Sequence, residues 1–307
     1  MNQIMVLASL FLVILFGFLA YKFKIMSDQA AQSFNKLIFY FCAPAIIFSS
    51  LVSIDRGQLS SYPLFILINV SVLWSFSIVG FQILRLLDIK REIRGSLLYT
   101  SISGNLVYFA YPILLFLFPK EHFSLGVVYS VIGTALGGLA TLFLLGLDKH
   151  SKIFDLKKNL SEFARNPIVI SSVFGFLFLF FNIPLPKLLT DALDILGKPT
   201  ATLGLFSMGI YFAHNFGFKK INLSLIPSLI KLVVLPLVVY LLVFKIIRLD
   251  LAAAQTSVIM AAMPSAVFSI VVSDVYDLDK TLTSNTVILS SILFLFTSTF
   301  WIWLITL

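Results

Sequence analysis

The sequence predicts an all-α integral membrane protein: ten transmembrane helices as two inverted five-helix repeats, with broken crossover helices in spans four and nine. Three observations predict it. Of 307 residues, 59% are hydrophobic and 12% charged, about half the charged share of a soluble domain, and the apolar residues run in blocks instead of alternating. The blocks number ten, and one polar loop, "DKHSKIFDLKKNLSEFARNP", separates five from five. Prolines recur on either side of that loop, Pro44 in the second block with Pro199 in the seventh, and Pro112 in the fourth with Pro264 in the ninth.

With about 17 to 25 apolar residues per span, helices are expected at 4–23, 31–54, 63–86, 95–118, 125–147, 167–181, 188–212, 225–247, 252–275 and 281–307. The first is too long for a signal-peptide core and lacks a small-residue cleavage site before Lys22, so it reads as a retained span. The second holds Cys42, the single cysteine, which excludes an internal disulfide and reads as a small packing residue. The sixth is short unless it continues toward Leu185 or starts within "SEFARNP". The domain reading is a first repeat over 1–147, a cytoplasmic loop over 148–166 and a second repeat over 167–307.

Orientation follows from Lys and Arg. Loops after odd-numbered spans carry about fifteen, among them Lys24, Arg91, Arg94, Lys149, Lys152, Lys157, Lys158, Arg165, Lys219 and Lys220; the opposite side carries Arg56, Lys120, Lys187, Lys245 and Arg248. Both termini are therefore expected on the non-cytoplasmic side of the cytoplasmic (inner) membrane. The net charge of +8 resides in these short loops and forms no basic face for nucleic acid. Asn-X-Ser triplets at Asn159 and Asn222 fall in or beside cytoplasmic loops and read as chance matches.

Five spans per half force the halves to run in opposite senses, which is an inverted repeat. Pro112 has no N–H for the Tyr108 carbonyl and Pro264 none for that of Met260, so each helix is expected to unwind near its proline. Freed backbone is tolerated only where protein or water meets it. Half-helices beginning "PILLFLF" and "PSAVFSI" would then aim positive N-terminal ends at a shared midplane point, where an anion is favoured. Asn105 stands two turns before Pro112, on the same face. Simple kinks and an interhelical Asn hydrogen bond are the plainer readings of the same residues.

The segments "SFNKLIFYFCAPAIIFSSL", "NLVYFAYP", "LGLFSMGIYFAH", "KLVVLP" and "AAMPSAVFSIVVSDVYDLD" together resemble the auxin efflux carrier family. That family includes plant auxin exporters and bacterial permeases such as malonate carriers, within the bile, arsenite and riboflavin transporter superfamily. The resemblance covers nearly the whole chain. It implies a scaffold and a transport domain, each drawn from both repeats, and a substrate site where spans four and nine cross. Carried over by position, Asn105 matches the family's Asn seven residues before the span-four proline, Pro112 and Pro264 match the crossing prolines, and Lys231 matches a basic residue before Pro236. The very short central loop and "PSAV" after the crossing proline depart from the plant exporters.

The candidate substrate-binding residues are Asn105, Tyr108, Tyr111, Pro112, Met263, Pro264, Ser265 and Ser207, with Lys231 in a gating or charge role. An intramembrane cation is by default functional, whereas a lysine near a helix end also snorkels to the interface; both readings stand. Ser207 and Tyr211, at i and i+4, either face the crossing or pack a helix interface. Asp191, Asp194, Asp274, Asp277 and Asp279 read as interfacial, and His122, His150 and His214 are too scattered for a metal. No metal or cofactor is expected.

No activated nucleophile, phosphate loop or nucleotide fingerprint argues for an enzyme. The expected function is secondary transport of small organic anions, auxin-like carboxylates or dicarboxylates, by alternating access. Its expected partners are that anion and the lipid bilayer, with a homodimer compatible. Two rivals stay open: a non-transporting anion receptor, and a sodium-coupled symporter of the bile-acid type. The second is disfavoured because span nine offers Thr256, Ser257, Ser265 and Ser269 but no carboxylate before Asp274.

Overall fold

In lipid a spanning segment must pair its own backbone groups, and an α-helix does so within one segment. The computed structural model describes residues 3–54, 62–87, 89–133, 141, 144, 164–215 and 220–307, and among them no strand occurs. In chain order the helices are α1 (Gln3–Lys22), α2 (Asp28–Leu37), α3 (Ala43–Val52), α4 (Tyr62–Leu86), α5 (Arg91–Ile102), α6 (Tyr111–Leu117) and α7 (Lys120–Ile132). After the central loop come α8 (Pro167–Phe181), α9 (Lys187–Gly197), α10 (Pro199–Asn215), α11 (Ile221–Leu229), α12 (Leu235–Tyr240), α13 (Leu251–Ala261), α14 (Phe268–Val275) and α15 (Lys280–Thr306).

Among the described residues, five continuous stretches are long and apolar enough to cross a membrane: Met5–Lys22, Asp28–Val52, Tyr62–Leu86, Ile221–Ile246 and Lys280–Thr306. They fall on expected spans one, two, three, eight and ten. Span four is α5 plus the stretch Leu106–Leu117, span seven is α9 plus α10, and span nine is α13 plus α14. Span six stays short. Asn166 caps its start, accepting from the Ile168 N–H at 2.9 Å ahead of Pro167, and Asn182 ends it in the left-handed conformation at φ 55°. The far part of span five, the central loop with His150 and its lysines, Asn159, Arg56 and Lys219 lie outside the described residues.

Three prolines inside spans, Pro44, Pro112 and Pro236, are absorbed by widened turns. Three five-residue π-helical stretches, Ile38–Cys42, Leu106–Ala110 and Ile230–Val234, each end two residues before a proline: Pro44, Pro112 and Pro236. In the first and third, hydrogen bonds run five residues back, from the Ala43 N–H to the Ile38 carbonyl and from the Leu235 N–H to the Ile230 carbonyl. A proline ring collides with the carbonyl four residues before it, and a wider turn moves that carbonyl aside. Before Pro236 the displaced carbonyl is that of Leu232. It accepts instead from the Trp301 indole N–H at 2.8 Å.

Contacts divide the chain into two units, each combining segments from both sides of the central loop. The first holds the described residues of Met1–Pro63, Val107–Val131 and Leu160–Asn215. In it α1 lies against α10 and α3 against α8. The first pair touches backbone to backbone, since a Cβ on Gly209 would stand 2.0 Å from the Ile14 carbonyl oxygen. The second unit holds those of Leu64–Leu106, Ile132–Asn159 and Phe216–Leu307. There α15 is the central post, packed against α5, α11, α13 and α14.

Candidate functional site

Helix α5 ends at Ile102 and α13 at Ala261. Three residues beyond each end stand Asn105 and Pro264, both in non-helical backbone. The two gaps pair with each other. The Asn105 N–H donates to the Pro264 carbonyl at 2.7 Å and the Ala266 N–H to the Ser103 carbonyl at 3.0 Å, so Gly104 faces Ser265 in an isolated antiparallel bridge. Ser265 secures the crossing from both ends, its Oγ donating to the Thr100 carbonyl at 2.7 Å and its N–H to Ser290 Oγ at 3.1 Å. Each bond satisfies a backbone group that the breaks release, as a dry interior requires.

This geometry corrects one expectation. Span four does not open at Pro112, which lies second in α6 behind the widened turn; it opens at Ser103–Gly104–Asn105. These residue types favour turns, whereas a single proline is accommodated by adding one residue to the turn before it. The positional partner of Pro264 is therefore Asn105, and the half-helix expected to begin "PILLFLF" begins instead at Leu106. In span nine Pro264 lies within the gap as expected, but the half-helix expected to begin "PSAVFSI" begins instead at Phe268.

Lys231 joins the crossing from the widened turn Ile230–Val234. Its side chain is buried, 1% exposed, and does not run out to the interface. Its Nζ donates to the Ala261 carbonyl at 2.6 Å, at the negative end of the α13 dipole, which favours the protonated form. It also lies against the other gap: a Cβ on Gly104 would stand 3.1 Å from Nζ. Among the described residues no carboxylate pairs with it. Chemically, the crossing offers a buried cation, a buried Asn105 and Met263, and backbone already freed from helical bonding.

The remaining candidates belong to the first unit. Tyr108 Oη donates to Asn35 Oδ1 at 3.0 Å, and its ring lies against Gly204, one turn before Ser207. Tyr111 is fully buried, its hydroxyl 2.6 Å from Ser130 Oγ. Ser207 Oγ is buried without a partner among the described residues. The structure thus brings Asn105, Met263, Pro264, Ser265 and Lys231 together, and sets Tyr108 near the helix that carries Ser207.

Sequence reasoning missed Gly104, the Thr100 and Ala261 carbonyls, Ser290 and Trp301. The carbonyls have no sequence signal. "SISGN" at 101–105 did carry one, a cluster of turn-forming residues in an apolar span. Of the acids read as interfacial, Asp194 accepts from Ser49 Oγ at 2.8 Å. Asp279 caps α15, accepts from the Leu282 N–H at 2.9 Å and pairs with Lys220. Burial pushes its carboxyl up, but the Lys220 hydrogen bond and charge and the backbone N–H groups of Leu282 and Thr281 outweigh that and hold it below its ordinary value.

A family model described as "Membrane transport protein" matches residues 3–152 and 149–302. The chain is 24% identical over 305 residues to an uncharacterized transporter, MJ1031, of Methanocaldococcus jannaschii, covering 96% of each chain. It is 22% identical over 307 residues to the uncharacterized transporter YfdV of Escherichia coli K12, covering 97% of this chain and 96% of that one. The same figures hold for YfdV of Shigella flexneri. The resemblance to auxin efflux carriers read from the motifs stands with these matches, which span nearly the whole sequence. The chain is a multi-pass membrane protein and belongs to the membrane transport protein family.

Proposed function

We propose that the protein is a ten-span secondary carrier that moves small organic anions, carboxylates above all, across the inner membrane by alternating access. The observation that carries this reading is the paired gap of spans four and nine with the Lys231 ammonium against it. A cation with no carboxylate partner among the described residues, beside backbone released from helical bonding, suits a carboxylate better than a neutral or cationic substrate. The two units support the reading, because each draws on both halves of the chain, as inverted five-helix repeats over 1–147 and 167–307 would. Asn105, Met263, Pro264 and Ser265 contact the substrate; Tyr108, Tyr111, Pro112 and Ser207 shape its path. Both termini face away from the cytoplasm, and a reporter active only in the cytoplasm stays silent when fused to the C-terminus.

The test is uptake of a panel of radiolabelled mono- and dicarboxylates into proteoliposomes. At least one is expected to accumulate with the wild type and not with Asn105→Ala, at equal reconstituted amounts. Binding of a panel member without uptake points to an anion receptor. Neither binding nor uptake across the panel removes the organic-anion reading.

A further inference from the structure

A half-helix that ends inside a membrane leaves carbonyls without helical donors at the negative end of its dipole. Carriers built on broken helices commonly answer with a coupling ion, coordinated by such carbonyls. Here α13 ends in this way at Ala261. The next N–H, of Ala262, turns back to the carbonyls of Val258 and Ile259 at 2.9 and 3.2 Å, while the Ala261 carbonyl is taken by Lys231 Nζ at 2.6 Å.

Three further observations mark this lysine as built in. Its ammonium also lies against the second gap, close enough that a Cβ on Gly104 would stand 3.1 Å from Nζ and 3.2 Å from Cε. Its stretch of helix is held in place, since the Leu232 carbonyl beside it accepts from Trp301 at 2.8 Å. And among the described residues no acid neutralises it. A lysine placed only for stability in an apolar interior would call for an ion pair, because an isolated buried charge is costly.

We propose that Lys231 is a tethered cation, holding the place at the end of α13 that a coupling sodium ion would otherwise take, so that the carrier works without bound sodium. Removing the ammonium while leaving its space should create a site for a small free cation. The consequence for flux rests on the carrier reading above. The consequence for stability does not.

The experiment follows thermal unfolding of the purified full-length protein in sodium, lithium, potassium or ammonium chloride, against N-methylglucamine chloride at equal ionic strength. The wild type is expected to unfold at one temperature in all five. Lys231→Ala should unfold lower in N-methylglucamine and recover by about 1–2 °C with at least one small cation, the shift expected for roughly 1 kcal/mol of linked binding in a chain of this length. Lys231→Met, which refills the space without charge, should unfold lower and recover with none.

A wild type stabilised by sodium as much as Lys231→Ala overturns the proposal. So does Lys231→Met at wild-type stability, or Lys231→Ala unresponsive to all four cations. Should Lys231→Ala fail to fold in every salt, Lys231→Gln replaces it, retaining a donor for the Ala261 carbonyl. A lowered midpoint that a small cation raises supports the proposal, and any other Gln result overturns it. In proteoliposomes, wild-type uptake should be equal with sodium or N-methylglucamine on both sides. If no anion moves at all, the carrier reading fails while the salt contrast between wild type and Lys231→Ala still decides the lysine's role.

Discussion

Pro112 and Pro264 occupy the two interrupted spans, yet only Pro264 lies in a gap. At Pro112 the preceding turn widens to a π-helical stretch and the chain continues as helix to Leu117. At Pro264 the helix stops at Ala261 and resumes at Phe268, and the segment between them hydrogen-bonds to Ser103 and Asn105. A proline therefore does not by itself open a membrane helix. Removing one N–H is repaired locally by a wider turn, as at Pro44 and Pro236. A true gap frees several backbone groups together, and it persists only where a second gap supplies their partners.

The comparison breaks most visibly at Gly104. A side chain there meets Lys231 Nζ at 3.1 Å, with Leu106 Cδ2 and Lys231 Cε each at 3.2 Å, contacts already tight for a single methyl. Gly104→Leu is expected to abolish anion uptake and to lower stability by about 1–3 kcal/mol, the usual cost of overpacking. Uptake retained at half the wild-type level would show that the gap in span four is not where the substrate passes.

Next in size is the contrast between the prolines. Pro264→Ala supplies an N–H that can extend α13 into the gap, and most uptake should be lost. Pro112→Ala only restores a donor in a continuous helix, so most uptake should survive with a stability change within about 1 kcal/mol. Equal losses in the two variants, measured side by side for uptake and unfolding temperature, would return Pro112 to the crossing and undo the distinction.

Much of this was legible in advance because membrane constraints are written in composition. Ten apolar blocks and the special place of span nine follow from length, hydropathy and Pro264. The gap in span four was visible as "SISGN" but was overshadowed by the stronger-looking Pro112; turn propensity summed over five residues outweighs one missing N–H. Lys231 was legible only as an anomaly. Its end point depends on which carbonyl of another helix is left open, and a carbonyl looks the same in every residue. The pairing of Asn105 with Pro264 joins backbone atoms far apart in sequence, so no local pattern encodes it.

Trp301 sharpens the account of the tolerated prolines. If a widened turn alone satisfied the helix at Pro236, the indole bond to the Leu232 carbonyl would be dispensable. Trp301→Phe keeps an aromatic ring in a site that is 2% exposed but removes the donor. An orphaned buried carbonyl costs about 1–3 kcal/mol, and that loss of unfolding stability is the expected result. It should shrink in the double variant with Pro236→Ala, whose new N–H can reach the same carbonyl. Additive losses would mean that the indole bond does not stand in for the N–H that Pro236 lacks.

The smallest effect concerns how the paired gaps are anchored at the far end. The Asp279 N–H donates to the Glu92 carbonyl at 3.1 Å, tying the start of α5 to the start of α15, while the Asp279 side chain caps α15 and pairs with Lys220. Its carboxyl is held below the ordinary carboxylate value, so the folded state binds that proton less readily than the unfolded state. The sign follows: Asp279 stabilises the fold fully above the unfolded pKa, near 4, and that contribution disappears as pH falls through the lower folded value. Asp279→Asn keeps an oxygen for the Leu282 N–H and loses the charge. It should cost about 0.5–1 kcal/mol at pH 7, the usual worth of a half-exposed ion pair, and the gap to wild type should close between about pH 5 and pH 3. Asp279→Ala should cost about 1 kcal/mol more than Asp279→Asn at pH 7, because the cap is lost with the charge. Unfolding temperatures of the three proteins across that range give the answer: a difference between wild type and Asp279→Asn that stays constant with pH would mean that the carboxylate charge plays no part, and that the backbone tie to Glu92 alone fixes where the two interrupted spans begin.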